Sequence, residues 1–326
     1  MNTDLEKRIF TVGRQDFAEL AAEVFRFQYD YNSLYRQFTD TLGVNPAHVN
    51  RLEEIPFLPV GCFKTHTVRT TEFQPEIVFE SSGTTGTGGS RHEVRRLDLY
   101  KESFTRGFEQ FYGPVKDWCI IGLLPAYLER SNSSLVLMVH ELIRDSGHPD
   151  SGFYLYEHDK LAEVLQRLEA GGQKTLLIGV TFALLDFAEK YSLRLQHTVI
   201  METGGMKGRR KEITRQELHA FLTERLGVPA IHAEYGMTEL LSQAYSEGKG
   251  LFRSPSWLKA LVRLEDDPLE IRGEGEGILN IIDLANLYSC SFLATEDVGR
   301  IYEDGRFEVS GRVDNSDIRG CSLLVV

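Results

Sequence analysis

The sequence predicts an α/β protein: a mostly parallel sheet covered by helices, followed by a β-rich region. Three observations support this prediction. Short apolar runs alternate with amphipathic stretches between residues 76 and 240. Several of these runs are continuously apolar, as strands buried on both faces are. Beyond Leu240, helical periodicity gives way to short strands separated by Gly and Asp turns.

Residues 1–75 are predicted to form a helical segment that packs on the main domain. Apolar residues recur at helical spacing from Phe17 to Phe27, and the stretch from Ser33 to Leu42 ends at Gly43, a typical stop signal. The two prolines of the following EEIPFLPVGCFK stretch favour an extended connection.

Residues 76–240 are predicted to form an α/β nucleotide-binding region. Its predicted strands are EIVFE, WCIIGLL, GFYLY, KTLLIGV, HTVIME and AIHAEYG. Its predicted helices are Leu99 to Tyr112, Ser133 to Arg144, Lys160 to Glu169, Phe182 to Lys190, and a last helix that ends at Leu226 and begins with a Thr214/Glu217 capping box. Ligands of such sheets bind beyond the carboxyl ends of the strands.

The remaining chain divides into two predicted regions. Residues 241–312 contain short strands with Gly and Asp turns, which predicts a β-rich subdomain, either an antiparallel sheet or a small barrel. Residues 313–326 are predicted to be a hinge and a short C-terminal stub.

Composition limits the functional classes. The 326 residues are 42% hydrophobic and 26% charged with a net charge of −12, which argues against non-specific nucleic-acid binding. No apolar run reaches the roughly 18 residues of a membrane span, and the N-terminus lacks a signal-peptide pattern. The cysteines form no CxxC pair, so neither a metal site nor a disulfide framework is predicted, and we expect a cytoplasmic protein. They are Cys62, Cys119, Cys290 and Cys321.

The glycine-rich stretch FESSGTTGTGGSRHE, Phe79 to Glu93, suits an anion site because it can turn tightly and present N–H groups and hydroxyls. Gly83 and Gly88 have the separation of a Walker-type loop. Gly89 and Ser90 follow in place of the required lysine, so an ordinary P-loop NTPase is not predicted. A flexible surface turn is the alternative.

Two further loops follow predicted strands: TGGMKGRR, Thr203 to Arg210, and EYGMTEL, Glu234 to Leu240. Because the carboxyl ends of parallel strands share one edge of a sheet, we expect these loops to converge with Ser81 to Ser90.

Four motifs in order resemble the adenylate-forming enzymes, which include acyl-CoA synthetases, luciferases and peptide-synthetase adenylation domains. The motifs are SSGTTGT, YGMTE at Tyr235 to Glu239, the TEDVGR turn with Asp297, and GRVDNSDIRG at Gly311 to Gly320. The last motif is one residue shorter than the family's hinge spacing.

The resemblance implies ATP and Mg²⁺ as cofactors. Glu239 would hold Mg²⁺, which prefers one or two carboxylates plus phosphate oxygens. Thr238 would bond the α-phosphate, and Asp297, acceptor-only when ionised, would bind the ribose hydroxyls. The other cofactor-binding residues implied are Ser81, Ser82, Gly83, Thr84, Thr85 and Gly86 at the phosphates, Gly204, Gly205, Glu234, Tyr235 and Gly236 at the adenine, and Arg312.

Ordinary structural roles compete with two of these assignments. Tyr235 would stack on the adenine, but it also suits a core aromatic. Asp297 alone would be interpreted as a turn-forming aspartate, and only the order of the motifs favours the ribose.

The sequence departs from the family in two places. Gly-Gly-Ser-Arg-His replaces the usual Pro-Lys after the glycine loop, so Arg91 or His92 is expected to supply the cation. The mobile C-terminal domain is expected to be essentially absent, together with its adenylation lysine. Lys207 is the candidate catalytic substitute, and a solvated basic side chain is the alternative.

The LPAYLERSNSSL, TGGMKGRR and RGCS segments resemble more closely the acyl-protein synthetase family of the bacterial bioluminescence fatty-acid reductase complex. That resemblance implies a fatty-acid substrate, an acyl-adenylate, and transfer of the acyl group through Cys321 to a partner reductase. A thiolate attacks such an adenylate when nearby positive charge, here Arg319 or Arg312, lowers its pKa. In the alternative, Cys321 is a small apolar residue of the terminal CSLLVV strand.

Three functions are thus left open. The first is activation of a carboxylic acid with ATP and transfer to Cys321 and a reductase. The second is an acyl-CoA ligase that uses free coenzyme A. The third is a nucleotide-binding scaffold that has lost catalysis along with its lysine.

Overall fold

A computed structural model describes residues 3–81, 89–124, 132–204 and 213–313 of the chain. These residues form two compact units. The described part of unit 1 is residues 3–81, 89–107, 236–244 and 253–313, and that of unit 2 is residues 108–124, 132–204, 213–235 and 245–252. The predicted region boundaries at residues 75, 240 and 312 stay predictions.

The described residues contain helices of four to sixteen residues. In chain order they are α1 (Thr3–Ile9), α2 (Phe17–Tyr31), α3 (Ser33–Thr41), α4 (Cys62–Thr65), α5 (Leu97–Tyr112), α6 (Ser134–Ser146), α7 (His158–Ala170), α8 (Thr181–Lys190) and α9 (Arg215–Leu226). None of them is long and apolar enough to cross a membrane.

The strands of the described residues are two to ten residues long. They are β1 (Leu58–Pro59), β2 (Ile77–Glu80), β3 (Arg91–Val94), β4 (Cys119–Leu123), β5 (Gly152–Phe153), β6 (Thr175–Val180), β7 (Thr198–Thr203), β8 (Ile231–Tyr235), β9 (Ala244–Ser246), β10 (Phe252–Arg253), β11 (Leu258–Arg263), β12 (Ile271–Arg272), β13 (Gly275–Asp283), β14 (Phe292–Ile301) and β15 (Phe307–Arg312).

The sheet of unit 2 is parallel over the strand order β5-β4-β6-β7-β8. Every residue of β4 and β6 is buried, as their uninterrupted apolar sequences predict. Helix α6 packs on β4, α8 on β6 and β7, and α9 on β8. The predicted α/β arrangement of strands and helices is confirmed.

The helix signals in unit 2 are also confirmed. The Thr214 hydroxyl accepts from the Glu217 N–H at 3.1 Å, while the Glu217 carboxylate accepts from the Thr214 N–H at 2.8 Å, so the capping box forms as predicted. Ser133 caps α6 at its start, and this helix ends before Gly147, which adopts the left-handed conformation.

Five strands of unit 1 form an antiparallel sheet in the order β12-β11-β13-β14-β15. Buried and partly exposed residues alternate along β14 and β15, the pattern of strands with one face on the core. Phe292 at the start of β14 lies against the rings of Phe25, Tyr35 and Phe57, with centroids 6.1 to 6.2 Å apart. These contacts pack the N-terminal helices of unit 1 on its sheet.

The proline-containing connection is not only an extended linker, because part of it forms a strand of the sheet. Leu58 and Pro59 form β1, which pairs in parallel with Leu293 and Ala294 of β14. Strands β2 and β3 form a separate antiparallel pair, with Ile77 opposite Val94 and Glu80 opposite Arg91. This pair carries the glycine-rich segment between its strands.

Candidate functional site

The predicted site residues are divided between the two units. Unit 1 holds Ser81, Gly236, Thr238, Glu239, Asp297 and Arg312, and unit 2 holds Gly204, Glu234 and Tyr235. Ser82, Gly83, Thr84, Thr85, Gly86, Gly205, Lys207 and Cys321 lie outside the described residues. The roles predicted for these eight residues stay predictions.

Ser81 closes the base of the glycine-rich segment. Its N–H donates to the carbonyl oxygen of Ser90 at 3.0 Å, and its hydroxyl accepts from the Ser90 N–H at 2.7 Å. A Cβ on the neighbouring Gly89 would lie 2.2 Å from the Ser81 carbonyl oxygen, which explains why glycine stands there. The Ser81 hydroxyl therefore helps to fix where the segment begins and ends.

His92 joins this hairpin to the YGMTE motif. It lies on β3 opposite Phe79, is 1% exposed, and packs edge-on against Phe63. Its Nδ1 lies 2.8 Å from the carbonyl oxygen of Thr238. Because a carbonyl only accepts, Nδ1 carries the proton and donates it.

The prediction that His92 supplies a cation is wrong. Burial lowers the pKa of the imidazole to about 4, although its contacts with Thr238 and Asn286 raise it. The ring is therefore neutral at neutral pH and acts as a hydrogen-bond donor. Arg91, the other candidate, is exposed and lies 3.5 Å from Glu80 across the hairpin.

Two side chains from the end of β13 hold the segment that follows the YGMTE motif. The Asp283 carboxylate accepts from the N–H groups of Leu241 and Ser242 at 2.8 and 3.0 Å and from the Ser242 hydroxyl. Asn286 donates to the carbonyl oxygen of Glu239 at 2.8 Å. Burial raises the pKa of Asp283 to about 6, against the four hydrogen bonds that lower it.

Glu239 is thereby fixed at its backbone from two sides, by His92 through Thr238 and by Asn286 directly. It is 0% exposed, and a buried carboxylate is costly unless protein groups or a cation compensate it. A hard carboxylate oxygen fits the ligand preference of Mg²⁺. Across the described ranges no group of three His, Cys, Asp or Glu residues could form a metal site by itself, so phosphate oxygens and water would have to complete the coordination.

Asp297 and Arg312 face each other on neighbouring strands. They are direct partners in the β14–β15 register, and Arg312 Nε donates to Asp297 Oδ1 at 2.9 Å. Asp297 is 5% exposed, and Glu296 adds a second carboxylate 3.8 Å from Arg312 Nη1. The arginine fixes the Asp297 carboxylate, an arrangement suited to accepting hydrogen bonds from a diol.

The adenine candidates of unit 2 lie at the carboxyl ends of β7 and β8. Gly204 follows β7 with a φ of 68°, in the left-handed region. The Thr203 hydroxyl donates to the Glu234 carboxyl group on the next strand. Burial raises the pKa of Glu234 to about 7, nearby Glu202 raises it further, and Thr203 lowers it. Glu234 can therefore change its protonation state near neutral pH.

Tyr235 is 6% exposed, and its ring centroid lies 5.9 Å from that of Phe252. This contact supports the core-aromatic alternative as much as the stacking role.

The sequence analysis missed a buried carboxylate, Glu202, one residue before Thr203. It accepts from the Thr181 hydroxyl at 3.2 Å and lies 3.3 Å from His219 Nε2 and 3.9 Å from Arg215 Nε. It also missed His92 as a donor, Asp283 and Asn286. For Glu202 and Asp283 the sequence offers one signal: each is an acidic residue at the end of an apolar run.

The described cysteines are poor nucleophiles. Burial raises the pKa of Cys119 to about 11 and that of Cys290 to about 12, and it also raises the pKa of Cys62. Such thiols stay protonated at neutral pH. This agrees with the apolar sequence around each of the three, which is typical of structural cysteines.

Comparisons with known proteins give one family. The family model described as "Acyl-protein synthetase, LuxE" matches residues 15–326. The long-chain-fatty-acid–luciferin-component ligase of Vibrio harveyi is 23% identical over 339 residues, covering 95% of this chain and 87% of that protein.

Two solved structures are similar to the chain at low sequence identity. The N-terminal domain of FACL13 from Mycobacterium tuberculosis has a TM-score of 0.46 and 16% identity, covering 75% of this chain and 61% of that one. The O-succinylbenzoate coenzyme A synthetase of Bacillus subtilis, solved with ATP and a magnesium ion, has a TM-score of 0.48 and 15% identity, covering 74% of this chain and 52% of that one. The chain spans about half to three fifths of the length of these two proteins.

Proposed function

The chain belongs to the acyl-protein synthetase (LuxE) family, and from this we propose that it activates a fatty acid with ATP and transfers the acyl group to a thiol. The acid's carboxylate oxygen attacks the α-phosphorus of ATP, the bond to the β-phosphate oxygen breaks, and acyl-AMP and pyrophosphate form. A thiolate then attacks the acyl carbon, and AMP leaves with the bonding electron pair.

One observation in unit 1 carries this proposal: the bond from His92 to Thr238. It ties the hairpin that bears the SSGTTGTGG segment to the residues proposed for the α-phosphate and the metal. His92 and Asn286 are both buried, and their hydrogen bonds hold the backbone of Thr238 and Glu239. Groups that are positioned before the reaction stabilise developing charge without reorganising during it. The glycine-rich segment would supply hydroxyls and N–H groups to the phosphates.

The cofactors would be ATP and Mg²⁺. Bound Mg²⁺ would neutralise phosphate charge and orient the α-phosphate, with Glu239 as its protein ligand. Asp297, held by Arg312, would accept the ribose hydroxyls. Gly204, Glu234 and Tyr235 would line the adenine.

The roles of Lys207 and Cys321 rest on the resemblance alone. Lys207 would steady the carboxylate during adenylation, and Cys321 would carry the acyl group to a partner reductase. The pKa values of Cys62, Cys119 and Cys290 support the choice of Cys321, because those three thiols ionise poorly.

The test is incubation with Mg-ATP and radiolabelled fatty acids of several lengths, followed by assays for AMP and for label on denatured protein. We expect both AMP and bound label, with the label lost in Cys321→Ser and kept in the matched control Cys62→Ser. A purified acyl-accepting reductase should remove the label from the wild-type protein.

Other results would point to the rival functions. Turnover only after addition of coenzyme A would identify an acyl-CoA ligase instead. Absence of AMP with every acid would leave a nucleotide-binding scaffold and overturn the proposed activity.

A further inference from the structure

A large cleft lies wholly within unit 1, between the N-terminal segment and the sheet. Its volume is about 930 Å³, at the upper end of the range of small-molecule sites. Apolar side chains dominate its lining, among them Phe38, Leu42, Val44, Val49, Phe57 and Ile271. None of the described residues proposed for the nucleotide lines it.

Apolar side chains reach the mouth of the cleft. Leu269, in the turn between β11 and β12, lines it and is 68% exposed, although most large apolar side chains of the described chain are buried. Phe38, Leu42 and Val44 are also partly exposed. An apolar ligand chain would cover this surface and gain the free energy of burial.

Arg263 places a positive charge in this apolar lining. Its guanidinium donates to the carbonyl oxygens of Thr295 and Leu279 at 2.6 and 3.2 Å and to Asn280 Oδ1 at 2.6 Å. These bonds use three of its five N–H groups. No carboxylate of the described residues lies within ion-pair distance of it. Burial lowers its pKa to about 10, although the nearby Glu296 carboxylate raises it, so Arg263 stays charged at neutral pH.

The other charged groups in the lining already have partners. Glu54 lies 3.2 Å and Glu53 4.0 Å from Arg51 Nε, and Glu296 lies 3.8 Å from Arg312. His48, the remaining basic residue of the lining, is exposed at the rim. Arg263 is therefore the charge in the described lining that a ligand anion would neutralise.

We propose that this cleft binds an aliphatic carboxylic acid, with its carboxylate on Arg263 and its chain along the apolar wall. One arginine matches one carboxylate, because two parallel N–H donors fit its two oxygens. Three glutamates in the same lining repel a more highly charged phosphate head group. Because none of the described nucleotide residues lines the cleft, an acid bound there would be held apart from them.

The test uses dodecanoic acid that carries a photoreactive diazirine on its chain, with the corresponding alcohol as the uncharged probe. After irradiation without ATP, labelled peptides are mapped by mass spectrometry. We expect label in peptides that cover residues 38–61 or 263–296. Labelling by the acid should fall by about tenfold or more in Arg263→Met, and the alcohol should label these peptides weakly in both proteins.

Matched variants separate binding from folding. Arg272→Met removes an exposed arginine paired with Glu270 and should label like the wild type. Val44→Trp keeps Arg263 but fills the cleft, so it should also lose label while circular dichroism stays unchanged. Equal labelling of wild type, Arg263→Met and Val44→Trp, or label confined to other peptides, would overturn the inference.

This inference and the proposed function fail separately. Label in the cleft of a protein that forms no AMP supports the inference and contradicts the activity. AMP formation with no label in the cleft supports the activity and contradicts the inference.

Discussion

The side chain of His92 has a role that its residue type does not indicate. A histidine beside a phosphate-binding segment suggests a cation, but full burial removes the water that would stabilise the imidazolium. What remains is a neutral donor, and its one strong acceptor is the Thr238 carbonyl oxygen. Burial shifts the pKa of Glu234 the other way: it raises the pKa of this carboxyl group, whereas it lowers that of the His92 imidazole. Both shifts favour the neutral form.

Replacing His92 tests its role as a donor. His92→Phe keeps a ring against Phe63 but leaves the Thr238 carbonyl oxygen without this donor, so the free energy of unfolding in urea should fall by about 1–3 kcal/mol. Under the proposed function, the KM for Mg-ATP should rise more than kcat falls. His92→Asn, whose amide can donate from nearly the same place, should restore most of the KM. Equal KM values for His92→Phe and His92→Asn would show that the hydrogen bond from His92 to Thr238 does not position the residues that bind Mg-ATP.

Glu234 predicts a pH dependence of stability. Its pKa is raised from 4.5 to about 7 in the folded chain, so between these values the folded state holds a proton that the unfolded state has lost. The contribution of Glu234 to the free energy of unfolding therefore falls as pH rises through that window, by about 1–3 kcal/mol.

The matched measurement is thermal unfolding of wild type and Glu234→Gln at pH 5 and pH 8. The glutamine variant should gain stability relative to the wild type as pH rises. Glu265→Gln, at an exposed turn, should show no such trend. A pH-independent difference between wild type and Glu234→Gln would contradict the raised pKa.

At the scale of elements, local signals determine both ends of α6 and α9. The Ser133 cap, the Thr214/Glu217 capping box and two C-terminal glycines act within one turn of chain. Gly147 and Gly227 both adopt left-handed φ angles, of 63° and 66°, after α6 and α9. Their surroundings differ. At Gly147, an added Cβ would meet nothing within 4 Å, whereas at Gly227 it would lie 2.9 Å from backbone atoms of Leu193 and Arg194.

This difference predicts unequal costs for the same substitution. Gly147→Ala should lower the free energy of unfolding by about 1–2 kcal/mol, the price of a left-handed alanine. Gly227→Ala should cost more, because backbone must also move, and such clashes add about 1–3 kcal/mol. Urea unfolding of the two variants measures both losses of free energy of unfolding. Equal losses would show that the backbone at residues 193–194 moves away from the added Cβ at little cost.

Strand β1 shows what local signals missed. Two prolines favour an extended connection, and only Leu293 and Ala294, more than 230 residues later in the chain, turn Leu58 and Pro59 into a strand. Pro59 is exposed, in keeping with the preference of proline for sheet edges.

At the scale of the whole molecule, the residues proposed for the nucleotide come from several segments that are distant in the chain. A ligand that contacts them stabilises the folded chain by mass action, by about 2.7 kcal/mol at one hundred times its Kd. Saturating Mg-ATP should therefore raise the Tm by roughly 5 °C or more.

Two controls make this prediction specific. ATP with excess chelator should raise the Tm much less, because Glu239 then lacks its cation. Asp297→Asn should lose most of the shift, whereas Asp304→Asn, in an exposed turn, should keep it. A Tm that no nucleotide moves would contradict nucleotide binding as a whole.

Residue type and spacing are enough to predict the α/β class, the family motifs, the Thr214/Glu217 capping box and the continuously apolar strands, because each depends on neighbouring residues or on a fixed period. Only the tertiary structure decided that His92 is neutral, that Glu234 titrates near pH 7, that Asp283 and Asn286 hold the YGMTE segment, and that Arg263 faces an apolar cleft. These properties depend on burial and on partners distant in the chain. Desolvation and long-range hydrogen bonds, unlike periodicity, leave no local pattern to read.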